Sequence, residues 1–176
     1  MDAVSMLRED HRKVKELFRQ FEEAEDDSTK KEIAQTAIKE LKVHTALEEE
    51  LFYPAVRREI DEEEKIDEAL EEHHVAKLLI AELSRMKPSD EHFDAKFKVL
   101  AESVKHHIEE EEGEMLPEVE GEIDADGLGK QMAERKQKLE GRMNGMSTGR
   151  GGARKSTRGR RGSSSKRRRG AKMKRR

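Results

Sequence analysis

The chain has 176 residues, 44% of them charged and only 3% aromatic, with no cysteine and no tryptophan. That length holds one domain plus extensions, and the composition excludes disulfides, thiolate metal sites, a cysteine nucleophile and a sheet-rich core. A net charge of −3 conceals an acidic body joined to a basic end. Neither a basic n-region nor an apolar run opens the chain, and nothing approaches the roughly 20 apolar residues that span a bilayer, so a cytoplasmic protein is expected.

The first predicted helix covers about residues 2–24, with Asp2 or Ser5 as its cap. Its apolar face reads Val4, Leu7, then His11, then Val14, Phe18 and Phe21. A polar turn, Asp26 to Thr29, caps the second helix. There the stripe Ala34, Ala37, Leu41 runs into His44 and Glu48 before resuming at Leu51 and Ala55. This helix should continue past Pro54 with a kink, because proline removes a backbone bond and crowds the carbonyl of Glu50. Tyr53 lies about half a turn off the His44 face, so only that kink would turn it inward.

The third helix is expected over about residues 61–86, opening with acids that suit the positive end of its dipole. Its face reads Ile66, Ala69, then His73, then Ala76, Ile80 and Leu83. Pro88 and Ser89 end it. The fourth helix starts near Asp90 and reads Phe93, Phe97, Leu100, Val104, then His107 and Glu111, then Met115. His92, His74 and His106 fall off these faces and read as solvated. Two glycines and several acids break the pattern over 121–127. A short helix, about 128–143, should pack on the outside of the bundle or lead into the basic end, away from any site.

The His44…Glu48-Glu49…Pro54 pattern recurs at identical offsets as His107…Glu111-Glu112…Pro117. Asp10-His11 with Lys15 resembles Glu72-His73 with Lys77. One helix pair has been duplicated. On a helix, residues four apart share a face, so each His/Glu pair aims an imidazole and a carboxylate at one point. Six ionisable groups on faces due for burial, each costing roughly 2–7 kcal/mol or more if unpaired, would exceed a domain's stability of about 5–15 kcal/mol. A cation held by His11, His44, Glu48, His73, His107 and Glu111 removes that conflict, and imidazole with carboxylate suits iron or zinc. Glu112 remains an alternative to Glu111, and Glu49 is expected in an outer or exposed position.

This H…HxxxEE…H…HxxxEE pattern over about residues 1–120 resembles the hemerythrin-like (HHE cation-binding) family. The resemblance implies an all-α, up-down four-helix bundle holding two non-haem iron ions bridged by carboxylates. It assigns those ions to His11, His44, Glu48, His73, His107 and Glu111. The ferritin-like class wants two Glu-x-x-His motifs, and this chain has one, Glu71 to His74. Blood-type hemerythrins, the reversible oxygen carriers, place a second histidine one turn after the third-helix ligand, where this chain has Lys77. An open position is therefore expected. Binding or sensing of oxygen, peroxide or nitric oxide is favoured over oxygen carriage, with peroxidase-, catalase- or ferroxidase-like turnover left open.

Residues 121–146 form the linker and short helix. Residues 147–176 hold 14 Lys/Arg and no acid, which leaves the preceding residues at −17. The basic positions are Arg150, Arg154, Lys155, Arg158, Arg160, Arg161, Lys166, Arg167, Arg168, Arg169, Lys172, Lys174, Arg175 and Arg176. Such a segment is expected to be disordered and to bind nucleic acid by neutralising phosphates, with little sequence preference. It has no aromatic residue for base stacking. In the alternative reading this tail carries the function, and the bundle is a structural or sensory module.

Overall fold

The computed structural model describes residues 1–60 and 63–148. The expected onset of the third helix at Asp61, the disorder of the tail and all of its basic positions lie outside the described residues. Among the described residues the chain is all-helical, with no strand. Helix α1 is Ala3–Glu23. Its cap is Asp2, whose carboxylate accepts from the Ser5 backbone N–H at 2.8 Å. Asp26 caps α2, Asp27–Leu47, by accepting from the Thr29 N–H at 2.9 Å. Each cap satisfies a donor that the first helical turn would otherwise leave free, which is worth about 1 kcal/mol.

Helix α2 does not simply kink at Pro54. It passes into a π-helical turn, Glu48–Phe52, and only then into α3, Tyr53–Glu59, with Pro54 in the first turn of that segment. The wider turn leaves room for the proline ring, which in a regular α-helix would crowd the Glu50 carbonyl. The added residue in the π turn shifts the phase of the next segment by roughly 100°. Tyr53, expected to face away, is thereby turned into the interior and is 2% exposed. The second half repeats the device. After α4, Glu63–Leu83, helix α5, Phe93–Glu110, enters a π turn at Glu111–Met115 and leaves through the short α6, Leu116–Val119.

Helices α1 and α2 pack together, as do α4 and α5, and the two pairs close on each other. Apolar residues collect in two clusters. One lies around Phe18, Phe97, Leu100 and Ile80, the other around Leu7, Leu47, Phe52, Val56 and Leu116. Each fully buried Phe or Leu contributes about 1.5–3 kcal/mol. The ionisable residues of the four faces lie between these clusters.

The last helix, α7, spans Ala125–Thr148, longer at both ends than the sequence pattern predicts. It lies across α1 and α2 and completes the second cluster with Leu128 and Met132. Arg135 grips Glu50 with two hydrogen bonds, at 2.6 and 2.8 Å. At Gly129 the helix runs so close to the N-terminus that a β-carbon would stand 2.7 Å from the Met1 carbonyl oxygen. Only glycine permits that approach.

Candidate metal centre

Each of the four bundle helices carries one histidine inward: His11 from α1, His44 from α2, His73 from α4 and His107 from α5. Glu48 and Glu111 enter where α2 and α5 pass into their π turns. All six are at most 5% exposed. The wide turns explain how a Glu-Glu pair divides its labour. Glu111 and Glu48 point in, while Glu112 and Glu49 sit half-buried beside the opposite pair of helices. The structure thus places Glu111, and not Glu112, inside the centre. His74 is exposed, and His106 pairs with Glu110 on the surface at 3.2 Å.

The imidazoles meet in two pairs. Nε2 of His11 lies 3.2 Å from Nε2 of His44, and Nε2 of His73 lies 3.3 Å from Nε2 of His107. Glu48 reaches both pairs. One oxygen is 2.9 Å from His44 Nε2, and the other is 3.2 Å from His73 Nε2. Glu111 likewise stands 3.2 Å from His11 Nε2 and 4.0 Å from His107 Nε2. Two ligand clusters result, His11–His44–Glu48–Glu111 and His73–His107–Glu48, with Glu48 common to both.

Outer carboxylates fix three of the rings. His11 Nδ1 is 2.9 Å from Glu112, His73 Nδ1 is 2.9 Å from Glu49, and His107 Nδ1 is 2.8 Å from Glu72. Lysines one turn on complete two of these chains, with Lys15 on Glu112 at 3.3 Å and Lys77 paired with Glu49. Lys77 therefore braces an outer carboxylate in the place where an oxygen carrier would have its second histidine. An ionised carboxylate only accepts, so Nδ1 donates in each contact. A neutral ring that donates from Nδ1 turns a bare lone pair inward at Nε2. If both rings are neutral, His73 and His107 face each other with bare lone pairs 3.3 Å apart, a repulsion that a metal ion or a shared proton relieves.

The residues fit a metal. Two nitrogens each about 2.1 Å from one ion, at an angle near 100°, stand about 3.2 Å apart. All four oxygens of Glu48 and Glu111 are buried with no hydrogen-bond donor, although imidazole nitrogens come close. Ligands converging on one point approach each other in this off-axis way. Tyr53 lies beside them, its ring centroid 5.7 Å from that of His73 and its hydroxyl also without a partner. Burial, followed by the charges of Glu48 and Glu111, holds its phenol well above the usual range.

Without metal, protons must supply the positive charge. Burial opposes protonation of His11, yet Glu111 and Glu48 raise its pKa to about 10. His107 is raised as well: burial opposes its protonation, but Glu72 together with Glu48 and Glu111 outweighs it. Burial opposes ionisation of Glu48, but His44, then His11 and His73, hold its carboxyl well below the usual range. A histidine raised above its unfolded pKa of about 6.5 stabilises the fold fully below that pH and loses the contribution as pH rises through its folded pKa. The metal-free chain should therefore melt at progressively lower temperature between pH 6.5 and about 10, followed by helical circular dichroism. A loaded chain, whose His11 Nε2 carries no proton, should not. Parallel curves for the two forms would refute the link.

In the sequence Asp10 and Glu72 stand out only as part of the repeat, with no role at the site. The repeated acid-His dipeptides Asp10-His11 and Glu72-His73 were the signal available.

Two openings touch the centre. A cavity of about 180 Å³ between α4 and α5 is walled by Lys65, Glu68, Glu72, Glu110 and Glu114, with His107 and Glu111 at its base. A smaller one of about 20 Å³ is lined by Leu41, Ala76, Ile80 and Val104, with Thr45, Ser103 and Glu72, against His44, His73 and His107. No helix among the described residues is long and apolar enough to cross a membrane.

The Hemerythrin HHE cation binding domain model matches residues 2–119. A DNA nickase of Nostoc sp. is 29% identical over 155 residues, which is 85% of this chain and 43% of the nickase. An uncharacterized hemerythrin-like protein of Schizosaccharomyces pombe is 29% identical over 113 residues, 63% of this chain and 56% of that protein. The chain thus spans about half the length of the curated relatives it matches. Among solved structures, a hemerythrin HHE cation binding domain-containing protein from Mycobacterium kansasii superposes with a TM-score of 0.72 at 26% identity. That likeness covers 85% of this chain and 94% of the other.

Proposed function

Because the chain belongs to the hemerythrin HHE cation-binding family, we propose that His11, His44, Glu48, His73, His107 and Glu111 hold two iron ions. Glu48 and Glu111 bridge them, and the centre binds or senses a small oxidant: oxygen, peroxide or nitric oxide. The observation that carries this reading is the size and lining of the inner cavity. At about 20 Å³, and lined by Leu41, Ala76, Ile80 and Val104 together with Thr45, Ser103 and Glu72 against three of the imidazoles, it has room for a molecule the size of a diatomic or a peroxide. A cavity needs about 10–15 Å³ of such volume to hold one water, so an occupant of this one is of that order of size.

Bound iron supplies the electrons with which a small oxidant is bound or reduced. The protein's own residues do the rest. Glu112, Glu49 and Glu72 fix three imidazoles in the tautomer that ligates. Leu41, Ala76, Ile80 and Val104 shield three of the imidazoles from bulk water, and the buried carboxylates of Glu48 and Glu111 would offset the positive charge of bound iron. The wider cavity, lined mainly by carboxylates, disfavours anions and favours neutral molecules or cations at the entrance.

The body, residues 1–120, then serves a chain whose basic end, residues 147–176, tethers it to nucleic acid through phosphate neutralisation. A second reading, in which the nucleic-acid association is the function, is favoured by the relative named a DNA nickase. Burial favours the first for the centre itself. Ligands at most 5% exposed suit a small molecule better than a duplex phosphodiester.

The test is to reconstitute the full-length chain with ferrous iron without oxygen, then add oxygen, peroxide or nitric oxide in turn while recording near-ultraviolet and visible absorption. New charge-transfer bands are expected with at least one of the three. An iron-loaded chain whose spectrum none of them alters would refute the oxidant reading.

A further inference from the structure

The duplication pairs every residue of one half with a residue 62 or 63 positions on, and one outer contact breaks the symmetry. Glu112 holds His11 as Glu49 holds His73. Glu72, the residue before His73, holds His107 Nδ1 at 2.8 Å. The counterpart of Glu72 is Asp10, the residue before His11, and the counterpart of His107 is His44. Yet His44 Nδ1 is buried with no partner. Asp10, itself only 6% exposed, pairs instead with Lys136 of α7.

The same helix covers the face on which the other half has its opening. The α4–α5 cavity is lined by Lys65, Glu68, Glu110 and Glu114. Their counterparts Ala3, Met6, Leu47 and Leu51 all pack in the apolar cluster that α7 completes. Helix α7 thus closes one of two equivalent doors and, while doing so, takes one of four equivalent carboxylates.

We infer that Lys136 is a positioning residue that makes the two metal positions unequal, by drawing Asp10 away from His44. This rests on the metal-centre reading above. The His73–His107 position has both imidazoles fixed by carboxylates, whereas the His11–His44 position has one fixed and one free. Loss of an outer partner of a ligating histidine costs about 10–100-fold in metal affinity. The ion at His11–His44 is therefore the weaker-held of the two by about that factor. Asp10 is one methylene shorter than Glu72, so restoring the missing contact takes two changes, Asp10→Glu with Lys136→Met. Arg135, Leu128 and Met132 still dock α7 in that variant.

Titration of the full-length wild-type chain with Co²⁺, followed by visible absorption and equilibrium dialysis, should show two ions bound about 10–100-fold apart. The double variant should tighten the weaker step by a similar factor and leave the tighter one unchanged. In parallel, the Zn²⁺-loaded wild type should show three histidine ring Nδ1 protons shifted downfield by carboxylates, with a fourth, from His44, appearing in the double variant. That spectrum on the wild type needs no variant to fold. Four such protons in the wild type, or two Co²⁺ steps that the double variant does not move, would overturn the inference and leave the metal centre standing. A wild type that takes up no metal would overturn both.

Discussion

Replacing Glu48 with alanine should strip the chain of metal at both positions at once, because this one carboxylate belongs to both ligand clusters. The fall in affinity should exceed about 100-fold, the upper end of what loss of a mere outer partner costs. His44→Ala with Glu48→Ala should do no worse, since nothing is left to lose. Glu49→Gln, which weakens the acceptor for His73 Nδ1, should cost less, about 10–100-fold. His106→Ala alters an exposed ring that pairs only with Glu110 and should change nothing. Iron per chain after reconstitution and desalting, with helix content checked by circular dichroism, separates these cases. Full iron in the Glu48→Ala protein would mean that the six residues do not form the site.

Ending the chain before Ser147 should abolish its retention on DNA. The removed segment carries 14 of the chain's basic residues and no acid, and the remainder stands at −17, which duplex DNA repels. A protein making about 6–10 phosphate contacts loses about 10³–10⁵ in affinity between 50 and 200 mM salt. The full chain should show that steepness with little preference among sequences. The truncated chain should show no binding at the lowest salt and unaltered iron content. Equal retention of the two chains across a salt series would refute the tail's role.

Much of the centre was legible because duplication wrote it twice. Four histidines interrupt four apolar faces at matching positions, and the i, i+4 spacing brings Glu48 under His44 and Glu111 under His107. The illegible parts depend on helix phase and on neighbours. The i, i+4 spacing already favours Glu48 and Glu111 over their neighbours, but it does not reveal the π turns at Glu48–Phe52 and Glu111–Met115, because nothing in the local sequence announces an i→i+5 bond. The same turns bring Tyr53 inside, where an unbroken α-helix would leave it half a turn away.

The outer contacts are harder still, because Glu112 serves His11 across 101 residues and Glu72 serves His107 across 35. Such contacts arise from how helices rotate against each other, not from any one helix. The role of α7 was hidden for the same reason. Its Leu128 and Met132 share one face of the predicted helix, and Ala3 and Met6 stand where the other half has Lys65 and Glu68. Only packing joins these into a lid with Lys136 on Asp10.

Six ionisable side chains are buried at the middle of this bundle, and two shared cations are the proposed reason that they are tolerated. Iron quantified against protein in the reconstituted full-length chain is the decisive experiment. The expected result is two ions per chain. A folded chain that carries none under metal-replete conditions would contradict it, showing that protons alone balance those carboxylates.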